Sequence, residues 1–151
     1  MLELDDPRKE AYRSFLTAYA RLTQVIDCEM VNAGLIPITW YDVLVTLEYA
    51  EGNSLRMSEL ADAVLLSRSG LTRLVDRMEQ RGFVVRKACP QDRRSFYAVL
   101  TKSGRQAREA SWPLLSSLIA EMFGTQMTDQ EVETVTTVMQ RSIEAVRQFN
   151  H

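Results

Sequence analysis

A chain of 151 residues, 46% hydrophobic and 25% charged with a formal net charge of −2, has the size and composition of one soluble domain or one subunit of an oligomer. Two distant cysteines, Cys28 and Cys89, and a single histidine, His151, argue against a disulfide scaffold and a metal centre, and no apolar run reaches the length of a membrane span. With no signal peptide, nucleophile motif or phosphate-binding glycine loop to be read, the expectation is a cytoplasmic protein that is not an enzyme and holds no cofactor.

Asp6-Pro7 reads as a helix start, because Asp can cap and Pro is tolerated in the first turn. Tyr12, Phe15, Leu16, Tyr19, Leu22, Ile26 and Met30 then recur at three- and four-residue steps, predicting one long helix that ends near Gly34. Thr39-x-x-Asp42 resembles a capping box, and Trp40, Val43, Leu44 and Leu47 continue a second helix to about Gly52. Residues 51–54 read as a turn. A short helix over about residues 58–65 bends at Leu66 into another, capped by Ser67, with Leu71, Leu74, Val75 and Met78 on its buried face and Gly82 at its end. Two β-prone runs follow, Phe83–Cys89 and Ser95–Thr101, joined by a turn over Pro90–Arg94. Thr101 is expected to cap a helix from Lys102 to about Phe123, with Ala107, Ala110, Leu114, Leu118 and Met122 as its stripe and Pro113 as a kink. Thr128-x-x-Glu131 is a second capping box, opening a last helix with Val132, Val135, Met139, Ile143 and Val146 on one face.

Charge is segregated along this plan. From Arg68 to Arg108 there are eleven Lys+Arg and three acids, a net of +8, while the remainder holds seven basic and seventeen acidic residues, a net of −10. A basic helix and hairpin inside an acidic protein suit a polyanion, and duplex DNA is the expected partner. Helix-turn-helix followed by a hairpin is the order of a winged helix. The predicted fold is therefore mainly α with a small β-wing: a winged helix-turn-helix over about residues 55–101, flanked by long helices over about 6–34 and 102–149. Those flanking stripes exceed what a small winged helix needs, so they are read as a helical dimerisation region within a single domain of residues 1–151.

The run from Ser58 to Arg105 resembles the multiple-antibiotic-resistance regulator (MarR) family. The likeness rests on Ser58-Glu59-Leu60-Ala61, on Leu71-Thr72-Arg73-Leu74-Val75-Asp76-Arg77-Met78-Glu79, on Arg81-Gly82, on Asp92-Arg93-Arg94 and on Leu100-Thr101-x-x-Gly104. It implies a homodimeric bacterial regulator, usually a repressor, that binds a pseudo-palindromic operator and is released by a small molecule or an oxidation.

An α-helix fits the major groove of DNA. The exposed start of the recognition helix offers Ser67, Arg68, Ser69, Thr72 and Arg73, with Arg77 a turn further on, while Gly70 removes side-chain bulk for a close approach. At the wing the resemblance implies an Asp-x-Arg unit that holds an arginine at the minor groove. It maps onto Asp92 as the orienting residue and Arg94 as the contact, with Arg93 as a second candidate. A small aromatic or anionic effector is one expectation, in a crevice near Tyr12, Arg13, Tyr19, Trp40 and Tyr41, although core packing is the favoured role for most of these residues. Two alternatives stay open. One is a redox regulator of the same fold acting through Cys28 or Cys89, disfavoured at Cys28 by the neighbouring Asp27 and Glu29. The other is a winged-helix module that binds protein and not DNA.

Overall fold

The computed structural model describes residues 4–90 and 92–149, with the side chain of Arg93 outside the description. Helix α1 spans Asp6–Asn32. Its cap is Asp5, one residue before the expected start, and the Asp5 carboxylate accepts the Arg8 N–H at 2.9 Å. Gly34 leaves the helix at φ +73°, a conformation that costs glycine little. Only Ile26 and Met30 of α1 are buried. Tyr12, Phe15, Leu16 and Tyr19 are exposed.

Helix α2, Ile38–Tyr49, does not use the expected Thr39 capping box. Thr39 lies inside the helix, and the carboxylate of Asp27 in α1 accepts the Ile38 N–H at 2.9 Å instead. A carboxylate eleven residues upstream thus joins the two helices by satisfying a helix-start donor.

The expected turn at residues 51–54 proves to be a one-turn 3-10 helix, Glu51–Asn53, followed by a third strand. Strand β1, Ser54–Arg56, pairs antiparallel with strand β3, Asp92–Leu100, which also pairs with strand β2, Val84–Cys89. The sheet order is β1-β3-β2. β3 starts at Asp92 and not Ser95, so the charged residues expected in the turn belong to the ladder, where Cys89 faces Asp92 beyond a register shift at Ala88/Cys89.

Between β1 and β2 lie α3, Met57–Ala63, and α4, Arg68–Gln80. Leu65 turns the chain at φ +57° and is 90% exposed, an uncommon conformation for a branched residue. Leu60 and Ala61 of α3 pack with Leu71, Val75 and Met78 of α4, Leu44 and Leu47 of α2, and Val84 and Ala98 of the sheet in one core.

Helix α5, Lys102–Met122, opens with Thr101 as its cap, whose hydroxyl accepts the Gly104 N–H at 3.0 Å. The helix runs through Pro113. Its buried positions are Gly104, Ser111 and Leu115; of the expected stripe, 107, 114, 118 and 122 lie half-buried beside them and Ala110 is exposed. A Cβ at Gly104 would lie 2.2 Å from the Phe83 carbonyl oxygen, so the first turn of the helix sits directly against that backbone. Glu48 of α2 binds Arg105 through one oxygen and Arg108 Nη2 through the other at 2.6 Å, and Arg105 also donates to Asn53 Oδ1 at 2.8 Å.

The chain divides into two compact units, residues 1–115 and 116–151. The second holds the end of α5, a 3-10 turn at Gly124–Gln126 and helix α6, Asp129–Phe149. The Thr128 capping box is present: Glu131 accepts the Thr128 N–H at 2.8 Å, and the Thr128 hydroxyl accepts the Glu131 N–H at 3.4 Å. No residue of α6 is buried, and Val132, Val138, Ile143 and Val146 are exposed. Among the described residues no helix is long and apolar enough to cross a membrane, and no group of acids, cysteines and histidines could hold a metal ion.

Candidate nucleic-acid interface

Ser67 fixes the start of α4. Its hydroxyl accepts the Gly70 N–H at 3.1 Å, satisfying one of the free donors of the first turn. A Cβ at residue 70 would stand 3.0 Å from that hydroxyl, so Gly70 makes room for the cap. The apolar residues Leu71, Leu74, Val75 and Met78 turn one face of α4 into the core. Arg68, Ser69, Thr72, Arg73 and Arg77 are left exposed on the other. The Thr72 hydroxyl donates to the Arg68 carbonyl at 2.8 Å, which leaves its lone pairs for an outside donor.

A cleft of about 640 Å³ lies beside this face. Arg68 and Thr72 of α4 line it together with Arg94 of β3, so the recognition helix and the wing share one concavity. Arg56, Ser58, Arg86 and Ser95 also line it, and none of them is a candidate contact on sequence alone. Arg56 and Ser58 escape a sequence search because β1 and the start of α3 reach the cleft only through the sheet. Arg56 lies over the Tyr97 ring at 5.7 Å, and its Nε donates to the Tyr97 hydroxyl at 3.3 Å. Ser67, Ser69, Arg73 and Arg77 lie outside the cleft lining, on the exposed part of α4 or at its cap. The side chain of Arg93 lies outside the described residues.

Asp92 takes a different partner from the expected guanidinium. One oxygen accepts the Arg94 backbone N–H at 3.0 Å and the other the Ser95 hydroxyl at 2.5 Å. The Ser95 hydroxyl first, then the Arg94 N–H, hold its carboxyl below the ordinary aspartate value, with help from the charge of Arg56. The wing-tip backbone is thereby shaped, and the Arg94 side chain stays exposed.

Folding divides the basic residues into paired and unpaired ones. Arg86 is paired with Asp76 and Glu79, and Arg105 and Arg108 with Glu48. These three of the eleven basic residues are held by carboxylates. Among the described residues, Arg68, Arg73, Arg77 and Arg94 form no ion pair, and they carry the positive field of this face.

The expected effector residues do not converge. Tyr12, Arg13 and Tyr19 sit on the exposed first half of α1, with Arg13 3.8 Å from Glu10. Tyr41 is buried and stacks on Trp112 with centroids 6.3 Å apart. Trp40 meets Phe83 edge-on at 6.0 Å and lines a separate cavity of about 380 Å³ with Leu35, Pro37, Arg81 and Ser111. Cys28 is exposed and accepts a weak hydrogen bond from Asn32 at 3.5 Å, while Cys89 is buried in the wing.

Comparison with known proteins agrees with this geometry. The family model described as MarR family matches residues 33–95. The chain is 30% identical over 134 residues to the HTH-type transcriptional regulator MhqR of Bacillus subtilis, covering 89% of this chain and 90% of that protein. Two solved structures of MarR family transcriptional regulators from Streptomyces coelicolor are similar throughout. AbsC shares 28% identity at a TM-score of 0.85, covering 98% of this chain and 99% of its own. Sco3205, solved in complex with DNA, shares 26% at a TM-score of 0.86, covering 96% of this chain and 91% of its own. A winged helix with unpaired cations on its recognition helix and wing, matched over nearly its whole length by these proteins, belongs to the MarR family of transcriptional regulators.

Proposed function

We propose that this protein binds a pseudo-palindromic DNA operator as a homodimer and represses transcription from it in the bacterial cytoplasm. The observation that carries the reading is the shared cleft of α4 and the wing, lined by Arg68 and Arg94. The start of α4 enters the major groove, where Arg73 and Arg77 meet bases or phosphate, and Arg94 reaches the adjacent minor groove. The exposed apolar faces of α1 and of α6 support a dimer, since each leaves large side chains in water that a second copy would cover. Two recognition helices would then stand about one DNA turn, roughly 34 Å, apart.

Selection of bound fragments from genomic DNA, followed by titration across salt concentrations, tests this reading. A palindromic consensus and an affinity that falls steeply with salt are expected, because each neutralised phosphate releases counterions. Failure to bind any duplex at low salt would favour a protein-binding module instead.

A ligand response is the second part of the reading. The Trp40 cavity is supported by two aromatic walls, Trp40 and Phe83, and by the Arg81 cation near Phe83. That lining suits a small aromatic acid. Release of bound DNA by such a compound, lost in Trp40→Ala, is the expected outcome.

A further inference from the structure

Arg86 belongs by sequence to the basic surface of the wing, yet its charge is spent within the protein. Its Nη1 lies 2.5 Å from Asp76 Oδ1 and 3.3 Å from Glu79 Oε2. Its Nη2 donates to the Thr72 carbonyl at 3.2 Å, and its backbone N–H donates to Glu79 Oε1 at 2.9 Å. Residues 72, 76 and 79 are spaced as neighbours along one face of α4. One residue of β2 is therefore fastened to three successive points of the recognition helix. Only a planar guanidinium has a fork of donors that can span such a set, and an ammonium would reach part of it.

The ladder carries this attachment to the wing. Arg86 pairs with Ala98 of β3, and the pairing continues through Lys87 and Tyr97 to Cys89 and Asp92. Arg94 lies on that same strand, so a shift of β2 against α4 would move Arg94 relative to Arg68.

We infer that Arg86 is a positioning residue for DNA binding: it sets the separation of recognition helix and wing and makes no phosphate contact itself. The inference rests on the DNA-binding reading above.

The test measures affinity for a duplex selected by the wild-type protein from a random-sequence pool, and for a scrambled duplex of equal length, at several salt concentrations. Arg86→Gln should lose at least about tenfold on the selected duplex, keep its affinity for the scrambled one within about twofold and leave the salt slope unchanged. Hydroxyl-radical protection in the minor groove should weaken. The Asp76→Asn/Glu79→Gln double variant supplies the opposite charge change. It makes the protein more positive by two, yet it should also lose affinity for the selected duplex, because the clamp is gone.

A double variant that binds the selected duplex as well as or better than wild type overturns the inference. So does an Arg86→Gln variant that weakens both duplexes equally with a salt slope lower by about one, the behaviour of a phosphate contact. If Arg86→Gln does not fold, the double variant decides alone. A wild-type protein that selects no duplex at low salt overturns the DNA-binding reading and this inference together. Selection by the wild type with both variants unaffected overturns only the inference.

Discussion

Asp92 holds Arg94 by its main chain: the carboxylate accepts the Arg94 N–H at 3.0 Å and takes the Ser95 hydroxyl with its second oxygen. The family resemblance leads one to expect a carboxylate gripping a guanidinium. The arrangement found shapes the strand that carries Arg94 and leaves its side chain exposed. Asp92→Ala should accordingly act on wing geometry, whereas Arg94→Ala should act on the contact.

This separation predicts different losses. Arg94→Ala should cost at least about 1 kcal/mol of operator affinity, and an unchanged Kd would remove Arg94 from the interface. Its salt slope should fall with the lost cation. Asp92→Ala should weaken operator binding while leaving the salt slope as in wild type, measured by anisotropy on the same duplex.

The Asp92 hydrogen bonds also predict a pH dependence. Its folded pKa is depressed below the ordinary 3.8. A depressed carboxylate contributes stability that is present above the unfolded value and lost as pH falls through the folded value. The wing tip should therefore be intact at neutral pH and loosen only in strong acid. The Arg94 amide resonance should titrate with a midpoint below 3.8, and Asp92→Asn should abolish that titration. A midpoint at or above 3.8 would contradict the hydrogen bonding described.

Gly104→Ala should be strongly destabilising. The added Cβ would meet the Phe83 carbonyl oxygen at 2.2 Å and Leu100 Cδ1 at 3.0 Å, and the first of these is backbone with little freedom to move. Overpacking of this kind costs about 1–3 kcal/mol or more, measurable as a lower urea midpoint. A midpoint equal to wild type would mean that α5 is seated differently.

Ser67 and Gly70 should be coupled. Ser67→Ala removes a helix cap and should cost about 1 kcal/mol. Gly70→Ala gains up to about 1 kcal/mol of helix propensity but crowds the Ser67 hydroxyl at 3.0 Å. The gain should thus be larger in the Ser67→Ala background than in wild type. A double-mutant cycle from urea unfolding reads the difference, and strict additivity would show that the cap and the glycine are independent.

Much of the fold is legible in the sequence because its signals are local. The stripe of Leu71, Leu74, Val75 and Met78 and the caps Ser67, Thr101 and Thr128 each act within a few residues. Strand β1 is illegible for the opposite reason. Ser54-Leu55-Arg56 has no strand pattern of its own, and only Val99, Ala98 and Tyr97, over forty positions away, make it a strand. The α2 cap fails likewise: Thr39 stands at the right spacing but lies inside the helix, and Asp27 of α1 accepts the Ile38 N–H. The candidate site follows the same division. Residues 67–77 are recognisable as an exposed helix face, whereas Arg56 joins the cleft through the sheet.

By itself, the sequence determined the order of elements, the basic character of α4 and the wing, and the family likeness, because composition and periodicity are properties of neighbours along the chain. Only the tertiary structure decided which charges are available to a ligand. A count of basic residues treats Arg86, Arg105 and Arg108 as equal to Arg68 and Arg94. Folding brings Asp76 and Glu79 against the first and Glu48 against the other two, and at hydrogen-bond distance a carboxylate outcompetes a screened and distant phosphate.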